Sequence, residues 1–159
     1  MTAPARLFIE TIHHAALRYG GWGIAWEAGG AVTGVAGGER NTTAARIDLM
    51  GLIAALDGLP AGPASIHSAS PGVLRVARLL AAPPPAGSDE APAEDLDLWA
   101  QAIKAVRGRA LTVKPATRSP DTPAAFLHAW AEVGQDKAKA KGRFSAAIPK
   151  PNLAKLTLP

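Results

Sequence analysis

One acidic residue inside an otherwise apolar helix constrains this chain more than any other feature. Residues Arg40 to Leu59 read RNTTAARIDLMGLIAALDGL. Thr42 and Thr43 can accept the free amide hydrogens at a helix start, and Gly58 and Pro60 supply a stop. Ile47, Met50, Ile53, Ala54 and Leu56 give the helix a broad apolar surface, so it should be buried. Asp48 sits within it. Aspartate is a poor helix former, and an unpaired carboxylate is costly to bury. Asp48 is therefore expected either to face a cleft, with a cation or hydrogen-bond donor beside it, or to lie exposed or paired with a neighbour such as Arg46.

The chain has 159 residues, 48% of them hydrophobic, which suffices for one domain with a real core. It has no cysteine, which excludes disulfides, thiol chemistry and thiolate metal sites. No apolar run approaches the ~18 residues of a membrane span, and no basic stretch precedes an apolar one near the start. A cytoplasmic protein without a membrane partner is the expectation. The formal charge of +4 is unevenly placed. Lys137, Lys139, Lys141, Arg143, Lys150 and Lys155 carry six positive charges with no acid among them, which leaves −2 on residues 1–136. A domain over residues 1–136 and a basic, Pro-containing tail over 137–159 follow. Such a tail either touches phosphates or an acidic partner, or stays solvated.

Taken in order, Arg6 to His13, Trp22 to Glu27 and Ala31 to Gly37 read as strands, the last two joined through Ala28-Gly29-Gly30 as a hairpin. The Asp48 helix follows, then a short strand at Ala64 to Ser68. A helix over Pro71 to Leu80 has proline in its first turn and Ser70 as its cap. Ala81 to Ala93 is a linker by composition. Then come a helix at Glu94 to Val106, a strand at Ala110 to Lys114 and a helix at about Thr122 to Val133. Three meandering strands followed by two reached through helical crossovers predict an α/β fold. Its sheet is mixed and five-stranded, with three antiparallel strands, then two parallel ones, flanked by helices.

These residues resemble the ribonuclease H family. The likeness is carried by Gly20-Gly21-Trp22-Gly23, by Thr42-Thr43-x-x-Arg46-Ile47-Asp48-Leu49-Met50 and by Asp97-Leu98-Trp99, over about residues 5–135. Val113-Lys114 and the following Pro120-Asp121 add weaker support. The resemblance implies cleavage of the RNA strand of an RNA/DNA hybrid by two divalent ions held between four carboxylates. Carried over position by position, the first acid falls on Glu10, the second on Asp48, the third on Ala69 and the fourth on or near Phe126. Two acids stand where the family has four, enough for at most one weakly held ion. The family's paired asparagines fall on Ala44-Ala45, its basic protrusion on Pro83 to Ala93, and its loop histidine on Ala116.

The reading that results is a catalytically degenerate ribonuclease H-like domain, with Glu10 and Asp48 as remnant carboxylates and no cofactor. It acts as a nucleic-acid-binding module through Thr43, Lys137, Lys139, Lys141 and Arg143, or as an interaction module for a protein partner or a second copy. The alternative is an active, divergent nuclease using Mg²⁺ or Mn²⁺, in which Asp121 replaces a lost carboxylate. Two other chemistries are weaker. His67, Ser68 and Asp48 would form a hydrolytic triad only if adjacent strand residues shared a face, which they do not. Glu10, His13 or His14, and Asp48 have ligand atoms without a recognised metal spacing. Trp22, Trp26, Trp99 and Trp130 read as packing residues.

Overall fold

A computed structural model describes residues 3–159. Its elements are β1 (Ala5–His14), β2 (Tyr19–Ala28), β3 (Ala31–Arg40), α1 (Ala44–Gly58), β4 (Ala64–Ser68), α2 (Pro71–Ala81), α3 (Leu96–Val106), β5 (Leu111–Pro115), α4 (Pro123–Lys141), β6 (Phe144–Ala147) and α5 (Lys150–Leu153). The sheet order is β5-β4-β1-β2-β3-β6. Antiparallel pairing joins β1, β2, β3 and β6, while β4 and β5 lie parallel to β1 on its other side. The β2–β3 hairpin turns at Gly29 and Gly30, whose φ of 60° and 83° are what a two-residue turn between twisted strands needs.

Alternation along β1 divides its side chains between two cores. Leu7 and Ile9 join a cluster built with Ile47, Leu52 and Leu56 of α1, Val73 and Val76 of α2, and Leu98 and Trp99 of α3. Phe8 joins a second cluster with Leu127 of α4, Ile148 and Leu153. On that second face α4 lies on the sheet almost backbone to backbone. A Cβ on Gly21 would strike the Ala131 carbonyl, one on Gly23 the Leu127 carbonyl, and one on Gly38 the Gly134 carbonyl. A Cβ on Gly134 would strike Gly37. The glycines around Trp22 thus have a packing reason, since each one removes a side chain where the helix lies closest.

Two expectations need correction. The sheet has six strands rather than five, and the boundary expected at residue 136 falls inside α4. Gly134 and Ala138 press α4 against β2 and β3, so Lys137, Lys139 and Lys141 are the solvent face of an ordered helix. The chain then returns as β6 along β3, and Ile148 and Leu153 are buried. A Lys-Ala alternation shows no amphipathic stripe because the buried residues are as small as glycine and alanine.

Candidate functional site

Glu10 lies on β1 facing away from α1 and is 1% exposed. Three donors serve its carboxylate: the Ala69 amide at 2.8 Å and the Ser68 hydroxyl at 3.3 Å on Oε2, and the Ser70 hydroxyl at 3.0 Å on Oε1. Burial still pushes the carboxyl above its ordinary range, although these bonds and the charge of Arg118 pull the other way. Ser70 accepts in turn from the Thr11 amide at 3.1 Å. Its hydroxyl is thereby taken, which is why Ser70 stands at the start of α2 without capping it by its side chain.

Asp48, on α1, is partly buried and accepts a 2.6 Å hydrogen bond from the Thr11 hydroxyl. Burial raises its carboxyl, opposed by Thr11 and by the charges of Arg75 and His13.

 Asp48 borders a cleft of about 330 Å³ whose lining includes Thr11, His13, Ala44, Ser70, Gly72 and Arg118. Asp48 is therefore a cleft carboxylate and not a partner of Arg46. The Arg46 guanidinium instead reaches α3, meeting Asp95 at 3.1 Å and Asp97 at 2.9 Å, which ties the Asp97-Leu98-Trp99 segment to α1.

The remaining sequence candidates separate. Ala69 contributes its amide, and Phe126 packs at the edge of the second core. His67 stacks on Phe8 with centroids 4.6 Å apart and bonds Ser65 at 2.9 Å, while Ser68 serves Glu10, so no hydrolytic triad forms. His13 bonds the Thr42 carbonyl at 3.0 Å and His14 stacks on Tyr19, each away from Glu10. Among the described residues no three His, Asp or Glu side chains converge as a metal-binding group. Asp121 borders a second cavity of about 420 Å³ together with Glu10 and His67. Trp22 and Trp99 are core residues.

The other candidates gather at the opposite end of α4. Thr43 caps α1, accepting from the Arg46 amide at 3.2 Å. The Thr42 amide bonds the Arg18 carbonyl at 3.0 Å, which joins the β1–β2 turn to the start of α1. Lys139 holds its ammonium 5.5 Å from the centre of the Tyr19 ring, and Arg40 lies beside Gly142 at the end of α4. Lys137 and Lys141 are exposed, whereas Arg143 is paired with Glu39 at 3.0 Å. Sequence reasoning missed Thr11 and Arg118, and weighed Ser68 and Ser70 in other roles than as donors to Glu10. Their only signal was two serines flanking Ala69, some sixty positions from Glu10.

No family model matches the chain, and no curated protein matches it. Among solved structures, it is similar to the N-terminal RNase H domain of rv2228c from Mycobacterium tuberculosis, solved as a fusion with maltose-binding protein. The TM-score is 0.57 at 19% identity, over 86% of this chain and 97% of that one. The fold is thus ribonuclease H-like, as the topology of β1 to α4 already indicates. Among the described residues no helix is long and apolar enough to cross a membrane.

Proposed function

We propose that this ribonuclease H-like domain binds nucleic acid along its phosphate backbone without cutting it. One observation carries the reading: the basic run is folded onto the strand ends, so that Lys137, Lys139 and Lys141 of α4 share one end of the molecule with Arg18, Arg40 and Thr43. Fixed cations on one surface attract a polyanion and release its counterions. Asp136 and Glu39 are the acids nearby, and Glu39 is already paired with Arg143.

The absence of cleavage is part of the proposal. The residues present do not fit two divalent ions, because the oxygens of Glu10 are engaged by Ser68, Ala69 and Ser70 and neither Ala69 nor Phe126 supplies a carboxylate. A second reading, an active divergent nuclease, is favoured by one observation, that Asp121 and Glu10 border the same cavity. The test is a salt titration of binding to single-stranded DNA, duplex and RNA/DNA hybrid, with hybrid cleavage followed in Mg²⁺ and in Mn²⁺. Binding should weaken with salt, and charge reversal of Lys137, Lys139 and Lys141 should lower the slope of log K against log salt by about 2 to 3. No binding at low salt would sink the proposal and turn the search to a protein partner or a second copy. Metal-dependent cleavage lost in Asp48→Asn would establish the nuclease instead.

A further inference from the structure

The cavity beside Glu10 lies at the other end of α4 from the basic residues, and the phosphate-binding reading leaves it unused. Its volume of about 420 Å³ falls in the ~300–1,000 Å³ range of small-ligand sites. One wall is an aromatic platform. The Phe8 ring is buried and covers one face of the His67 imidazole, at 4.6 Å and 23° between planes. Ser65 holds the imidazole Nε2 at 2.9 Å, so the ring is fixed, and the half-exposed remainder borders the cavity. Burial, with the charges of Lys114 and Arg6, lowers the His67 pKa and so favours the neutral ring. Pro115, Pro123 and Pro159 supply stiff apolar walls.

The charged groups that line the cavity are acids, beside the hydroxyls of Thr117, Thr122 and Thr157. Asp121 stands at the solvent-exposed rim of the cavity. Glu10 borders the cavity with its oxygens already served by other donors. A phosphate would meet two acids here, and an aliphatic ammonium would leave the ring platform uncovered. A flat ring that stacks on an aromatic face and presents an N–H edge satisfies both walls.

From this geometry we propose that the cavity between β1, β4 and the start of α4 binds one nitrogen heterocycle of the nucleobase class, stacked on His67 and donating an exocyclic amine to Asp121. The site stands independently of the phosphate-binding surface, and either can fail without the other.

The experiment titrates the full chain with cytidine and with uridine, which are alike in size but carry an amine and a carbonyl at the same ring position. The His67 ring and Ala124 methyl resonances are followed by NMR. Cytidine should shift both, and uridine should bind at least ~10-fold more weakly because it offers no donor to the carboxylate. Asp121→Asn should erase that preference. His67→Phe should keep binding within about 3-fold, since it keeps a stacking ring, whereas His67→Ala should abolish it. Charge reversal of the three lysines should leave nucleoside binding unchanged, which separates this site from the phosphate surface. A single-stranded oligocytidine that displaces cytidine identifies a strand-borne base as the ligand; no displacement identifies a free nucleoside. Equal binding of the two nucleosides, or no shift up to about 10 mM, a bound weaker than ~3 kcal/mol, would overturn the proposal.

Discussion

Gly134→Ala should destabilise the protein, although the same change on an ordinary exposed helix would stabilise it. Gly134 lies within α4, where alanine is favoured over glycine by about 1 kcal/mol. The new Cβ, however, would meet the carbonyl oxygen, carbonyl carbon and nitrogen of Gly37, all of them backbone of β3. No flexible side chain stands there to give way, so α4 must lift from the sheet. Lifting loosens its fit over Gly21, Gly23 and Gly38 together. Overpacking of this kind costs about 1–3 kcal/mol, and with a backbone neighbour the upper part of that range applies. Set against the helix-propensity gain, a net loss of about 1–2 kcal/mol follows, or roughly 2–8 °C in Tm for a domain of this size. Urea unfolding followed by circular dichroism measures it, with an unchanged m-value showing that the unfolded state is not the cause. A stabilised Gly134→Ala variant would refute the backbone contact, and with it the placement of both ends of α4.

Two further predictions rest on charged groups. Burial raises the carboxyls of Glu10 and Asp48, so the folded chain holds these protons more tightly than the unfolded one; stability should be greatest in mild acid and fall as pH rises from the ordinary carboxylate range through the raised folded values. Asp48→Asn, which keeps an acceptor for Thr11, should flatten that fall in denaturant titrations, and an unchanged pH profile would contradict it. Arg46→Lys should lose the forked contact to Asp95 and Asp97 and lower stability only slightly, because Asp97 is largely exposed. A cycle with Asp97→Asn reads the coupling, and zero coupling would show that the pair does not hold α3 to α1.

The sequence made the central helix, the Gly29-Gly30 hairpin and the crossover strands legible because each depends on local chemistry: a threonine cap, a turn that needs positive φ, runs of β-branched residues. What it concealed depends on distance or on small residues. The partners of Glu10 come from the end of β4, and hydroxyls at Ser68 and Ser70 carry no periodic signal. The strand β6, FSAA, is short, lies at the edge and has little apolar bulk, so only its pairing with β3 identifies it. The buried side of the last turns of α4 is Gly134 and Ala138, and beside them the lysines dominate the pattern.

One packing contact governs both proposed surfaces. The glycine contact sets where α4 sits on β2 and β3, and the helix has a single register there because Gly134 has no substitute among its neighbours. At its first turn that register brings Thr122, Pro123 and Ala124 to the cavity of Glu10 and His67, and at its last turns it carries Lys139 to the Tyr19 ring. Slipping the helix by one residue would turn every side chain by about 100° and remove both arrangements at once. The glycines are therefore a positional requirement of both proposed sites as much as of the fold: they let a rigid helix lie close enough to the sheet to set the surroundings of its two ends.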